Sequence, residues 1–126
     1  MTLLLDTHAF LWWVSDDPRL RRRARAAITS SPCVLSLASC WEMAIKVSLG
    51  KLTLSRPVGR FVQEQIEANG FSLLEITLEH TAGVASLPFH HRDPFDRLLA
   101  AQAITDELAI VSSDPIFRTY GVRRVW

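Results

Sequence analysis

Apolar residues along this chain fall into short runs separated by longer stretches with helical spacing, and that alternation predicts its elements. "TLLLD" (2–6) is a short apolar run ending in Asp6, the pattern of a strand buried on both faces. "CVLSL" (33–37), "FSLLEI" (71–76) and "AIVS" (109–112) predict three more strands, and "VRRVW" (122–126) an edge strand. Between them, "THAFLWWV" (7–14) is apolar nearly all round, which predicts a helix that is deeply buried or lies at an interface. Asp17 followed by Pro18 predicts the cap and first position of an arginine-rich helix reaching Thr29. Ser39 is expected to cap "SCWEMAIKVSLG", with Gly50 as its stop. From Pro57 onward, Val58, Phe61, Val62 and Ile66 keep helical spacing until Asn69-Gly70 breaks it. Thr77 opens a helix that Pro88 closes, Asp93-Pro94 opens another reaching Asp106, and a short helical turn follows Asp114. Strands alternating with helices imply crossover connections and a mostly parallel sheet. The expected fold is therefore α/β: a three-layer α/β/α sandwich with four to five central strands, one domain spanning residues 1–126.

Composition narrows the class. With 48% apolar and 21% charged residues, the chain carries enough apolar material for a core and is globular rather than disordered. No apolar run approaches the ~20 residues of a membrane span. "MTLLLDTHAF" meets an Asp without a basic leader, so no secretory signal is expected and a cytoplasmic location is. Cys33 and Cys40 lie in apolar surroundings and are expected as buried thiols rather than a disulfide. A net charge of +1 excludes the uniformly basic surface of a DNA-coating protein. The five arginines of "RLRRRAR" (19–25) are expected to form a solvated helix face.

The acids change the picture more. In an open α/β sheet, ligands gather outside the carboxyl ends of the strands. Asp6 ends the first strand and Asp114 follows the "AIVS" strand, while Glu42 and Asp96 are expected in the first turns of helices. Each has an ordinary structural use. Ser39 and Glu42 match a capping box, Asp93 an N-cap with Asp96 favouring the helix dipole, and Asp114-Pro115 a turn. Asp6 is harder to dismiss, because a carboxylate ending a central apolar strand needs a partner. If all four converge, their mutual repulsion calls for a cation. Oxygen ligands suit a hard ion, Mg²⁺ or Mn²⁺. On this reading Asp93 starts its helix and Asp96 is freed to hold metal. Adjacent His90 and His91 should point apart and no Cys-x-x-Cys is present, so zinc is not expected. Gly-rich phosphate loops and a nucleophile elbow are also absent.

Taken together, "LLLDTHAFLWW", "LSLASCWEMAIKVSLGKL", "HHRDPFDRLLAAQA" and "IVSSDPIF" resemble the PIN-domain ribonucleases, specifically the VapC-like toxins of toxin–antitoxin pairs. The resemblance covers essentially the whole chain. It implies an acidic site holding one or two Mg²⁺ or Mn²⁺ ions that cleaves RNA. By motif, its catalytic and metal-binding acids fall on Asp6, Glu42, Asp96 and Asp114. Ser112 stands where the family often has threonine, and Thr7, Ser112 and Asp93 are expected in support. It further implies a homodimer and an antitoxin whose C-terminal segment lies over the acidic groove. Phosphate must meet cations, and Lys46, Arg92 and Arg97 are the candidate RNA contacts, although Lys46 at four residues from Glu42 also fits a helix-face ion pair. Trp12, Trp13 and Trp41 are expected in the core, with "FLWWV" offering surplus apolar surface to a partner. The rival reading is a non-catalytic receiver-like module. That design needs a lysine near its last strand, and the only lysines here are Lys46 and Lys51.

Overall fold

Leu3–Leu5 form the central strand β1 of a five-stranded sheet, in a computed structural model that describes residues 1–126. The other elements are α1 (Thr7–Val14), α2 (Arg22–Ser30), β2 (Cys33–Ser36), α3 (Leu37–Ser48), α4 (Val58–Asn69), β3 (Ser72–Leu74), α5 (Leu78–Val84), α6 (Pro94–Thr105), β4 (Ala109–Val111), α7 (Ile116–Thr119) and β5 (Arg124–Val125). The strand order is β3-β2-β1-β4-β5 and every pairing is parallel. β5 is an edge strand, as its position in the sequence suggests.

Side-chain alternation along the strands divides the core in two. Leu3, Leu5, Cys33, Leu35, Ala109 and Val111 face a cluster containing Phe10, Leu20, Ile28, Met43, Val62 and Phe71. Leu4 and Ile110 face the opposite cluster with Leu99, Ala100, Ala103 and Phe117. Helices thus cover both sides, and β1 is buried along its whole length. This explains why the strands are continuous apolar runs and not alternating ones. Both cysteines are free.

Two helix starts differ from the sequence expectation. α2 begins at Arg22, not Pro18, because the Asp17 carboxylate is used locally: it accepts from the Arg19 backbone N–H (2.9 Å) and pairs with the Arg19 guanidinium (2.7 Å). The chain makes a separate turn there before the helix. α3 begins at Leu37 with Ser36 as its cap, the Ser36 hydroxyl accepting from Ala38 N–H at 3.0 Å. Ser39 is therefore inside the helix, and the expected Ser39–Glu42 capping box does not form. α5 also ends early, at Val84. Three i→i+3 bonds then tighten the chain from Ala82 to Leu87 before Pro88. The Thr77 cap, the Asp93 cap with Pro94 behind it, and the Gly70 stop all occur as the sequence indicates.

The tryptophans split. Trp12 and Trp13 are half-buried against the core, with Trp13 Nε1 donating to Asn69 at 3.0 Å. Trp41, expected in the core, is 60% exposed and meets Phe95 edge-on. No helix is long and apolar enough to cross a membrane.

Candidate active site

β1 is the point where the strand order reverses, with β2 on one side and β4 on the other. Chain leaving β1 and β4 at their carboxyl ends must diverge, which opens a crevice there. Asp6 is the residue after β1, and its N–H donates to the Val111 carbonyl of β4 at 3.1 Å. Its Oδ1 accepts from Ala9 N–H at 2.7 Å, so the same carboxylate caps α1. Asp114 follows β4, held by its N–H donating to the Ser112 hydroxyl (3.0 Å) and its Oδ1 accepting from Ile116 N–H (3.0 Å).

Glu42 arrives from the middle of α3. Its Oε1 accepts from the Thr7 hydroxyl at 2.7 Å and its Oε2 pairs with Lys46 at 2.8 Å. Thr7 also lies 2.9 Å from the buried Ser39 hydroxyl, tying α1 to α3. Asp96 comes from the first turn of α6, where Asp93 Oδ1 accepts from both Phe95 N–H (2.8 Å) and Asp96 N–H (3.3 Å). Because Asp93 does the capping, the Asp96 carboxylate is spared for another use.

These pieces line one cavity of about 200 Å³: Asp6, Glu42, Asp93, Asp96 and Asp114, joined by Thr7, His8, Lys46 and Ser113, with no apolar residue among them. Ser112 is fully buried beneath, acting through Asp6 and Asp114. The electrostatic cost is visible in the carboxyls. Burial pushes Asp6 above the usual carboxylate range, opposed by the Ser112 hydroxyl and the Ala9 N–H. Asp96 is pushed up to about 7, first by burial and then by the nearby charges of Asp93 and Asp6.

One sequence expectation needs revision here, and one residue of the site was not named by the sequence. Arg97 is not available to RNA: it is 6% exposed, and its guanidinium donates to the carbonyls of Pro88 (2.9 Å), Val84 (3.2 Å) and Leu87 (3.3 Å). One residue on from Asp96 is about 100° around the helix, which turns Arg97 away from the cavity and under the α5–α6 connection. Arg92 is exposed, whereas Lys46 is the ion-paired residue its spacing suggests. The residue that the sequence did not bring forward is His91. Its Nδ1 accepts from Asp93 N–H (3.3 Å), which leaves Nε2–H to donate to Asp96 Oδ2 (3.0 Å), and Asp114 Oδ2 lies 3.8 Å away. His90 points apart, against Tyr120. Ligand atoms of His91, Asp93 and Asp96 all lie within 4.8 Å of one another. Its place two residues before Asp93 was the available signal, but a loop conformation, not a period, brings the ring inward.

The donor set fits a hard divalent cation: the acids supply oxygen, burial and neighbouring charge raise the carboxyls of Asp6 and Asp96, and the one lysine of the cavity, Lys46, is paired with Glu42. Asp6, Asp96 and Asp114 are the candidates to hold it.

A family model for the PIN domain matches residues 3–122. Ribonuclease VapC22 of Mycobacterium tuberculosis is 31% identical over 121 residues, 94% of this chain and 92% of the relative. Among solved structures, VapBC2 from Rickettsia felis bound to a DNA fragment from its promoter aligns with a TM-score of 0.71 at 13% identity, covering 100% of both chains. DNA-bound VapBC from Salmonella typhimurium gives 0.69 at 16% identity, over 98% of this chain and 96% of that one. FitAcB from Neisseria gonorrhoeae gives 0.63 at 20%, over 97% and 95%. At such identities these structures speak to the fold.

Proposed function

The chain belongs to the PIN domain family, among its VapC-like members, and from that premise we propose that it is a divalent-metal-dependent endoribonuclease, the cytoplasmic toxin of a toxin–antitoxin pair. The observation that most supports the reading is the meeting of five carboxylates on one small cavity without apolar lining. Crowding of that kind costs stability, and a site that keeps it has a use for the charge.

In this proposal Asp6 and Asp96 are the principal ligands of Mg²⁺ or Mn²⁺, one or two ions, and Asp114 completes the set. When bound, the metal supplies Lewis acidity toward water and neutralises charge on the phosphate. The protein's own groups do the positioning. Glu42, fixed by Thr7 and Lys46, orients the attacking water or binds the ion directly. Ser112 holds Asp114 in place through its backbone N–H. Asp93 frees Asp96 by taking over the helix cap, and His91 steadies the Asp96 carboxyl. In-line attack by water leaves a 5′-phosphate and a 3′-hydroxyl. The partners proposed with this activity are RNA as substrate, a second copy of the chain, and an antitoxin whose C-terminal segment covers the acidic groove.

Single-stranded RNA incubated with purified protein tests the reading. Cleavage is expected with Mg²⁺ or Mn²⁺ and none in EDTA. Cleavage that persists undiminished in EDTA, or that never occurs with either ion, refutes it.

A further inference from the structure

We propose that the cleft beside the acidic cavity, formed where the end of α3 turns back over α1, binds the phosphate backbone of the RNA strand next to the bond that is cut; the inference rests on the ribonuclease reading above. The two spaces share a wall. His8 and Lys46 line both the acidic cavity and a neighbouring cleft of about 440 Å³. Across that wall the charge reverses. Five carboxylates line the cavity, whereas Arg19, Lys46 and Lys51 line the cleft against the single acid Asp17.

An RNA strand is repelled by a crowded carboxylate site, so its approach depends on cations placed outside that site. Most nearby cations are committed. Arg97 is buried under carbonyls, Lys46 is paired to Glu42, and Arg19 is paired to Asp17 with its guanidinium 5.0 Å from the Trp12 ring. Lys51 is exposed and makes no ion pair or side-chain hydrogen bond.

Its placement is built into the helix end. Gly50 adopts the left-handed conformation (φ +70°) just beyond α3. Gly50 N–H donates to the Val47 carbonyl at 3.1 Å and Lys51 N–H to the Lys46 carbonyl at 2.8 Å, the paired bonds of a Schellman motif. This fold-back sets Lys51 beside Lys46 and sends Leu52, Thr53 and Leu54 along the cleft wall. Thr53 adds a hydroxyl for phosphate or ribose. A protein segment could also enter such a groove. RNA is favoured because the cations continue directly from the cavity where the scissile phosphate must sit, and a strand leaving that point presents its next phosphate to them.

Initial-rate kinetics on a single-stranded RNA oligonucleotide, across a salt series, test the assignment. Lys51→Glu is expected to raise KM about three- to tenfold while kcat changes less than about twofold, and to reduce the log–log salt slope by about 0.7. Thr53→Lys is expected to move KM and the slope the other way. Both substitutions are on the surface, and an unchanged unfolding midpoint separates binding from folding. If wild-type protein cleaves but neither variant alters KM or the slope, the cleft inference fails and the ribonuclease reading stands. If KM is unmoved but Lys51→Glu loses inhibition by a purified antitoxin, the cleft belongs to a protein and the inference also fails. No cleavage by the wild type overturns both.

Discussion

Asp6→Asn protein is expected to fold normally and to lose at least about 100-fold of its RNA cleavage. The two halves of that expectation come from two functions of one side chain. As a cap, Asp6 accepts a hydrogen bond from Ala9 N–H through one oxygen, and the asparagine carbonyl can accept it equally well. As a buried charge, it carries a desolvation cost that asparagine does not. Folding therefore loses little and gains relief from repulsion, while the cavity loses its most buried carboxylate, the one proposed as a principal metal ligand. Cleavage rate beside a denaturation curve checks both halves. Asp6→Asn protein that is folded and cleaves at the wild-type rate removes Asp6 from the site.

Without a divalent ion, the protein is expected to become less stable as pH rises from about 5 to about 7, and Asp96→Asn to flatten that loss. The Asp96 carboxyl is pushed up to about 7 by burial and by Asp93 and Asp6, against 3.8 in the unfolded chain. The folded state thus holds a proton that the unfolded chain has released. The stability this proton confers is fully present below about pH 4 and disappears as pH climbs through the folded value. Asp6, shifted in the same direction, adds to the slope. Asp17, pulled down to about 2 by Arg19, is ionised throughout the window and adds none. Partial exposure of Asp96 limits the change to the order of 1–3 kcal/mol, several degrees in the unfolding midpoint. Thermal unfolding in EDTA at pH 5, 6 and 7.5 gives the comparison. A wild-type midpoint that rises over this range, or a variant with the same fall as wild type, contradicts the electrostatic argument.

Much of the fold was legible because its three inner strands, β2, β1 and β4, are buried on both faces. A continuous apolar run such as Leu3–Leu5 leaves little choice of environment, and its abrupt end at Asp6 marks the sheet edge. Helix stops at Gly50 and Gly70 were equally plain, since both require positive φ. The starts at Asp17 and Ser39 misled for a common reason: several residues nearby could serve as cap, and tertiary contacts chose among them. Arg19 took Asp17, and Ser39 was drawn inward to Thr7. At the site, Asp6, Asp96 and Asp114 could be named from strand ends and a helix start, whereas Glu42 was expected in a first turn and lies in the middle of α3 because that helix starts at Leu37. The orientation of Arg97 depended on a rotation of one residue around α6. The inward turn of His91 depended on loop geometry that no periodicity encodes, and the exposure of Trp41 on how α3 and α6 meet.

Titration calorimetry with Mn²⁺ at neutral pH, on wild-type protein and on Asp96→Asn, tests most directly whether these carboxylates form a cation site. Saturable binding of one or two ions per chain by the wild type, weakened at least about tenfold in the variant, is the expected result. No binding by the wild type, or the same isotherm for both proteins, would contradict it.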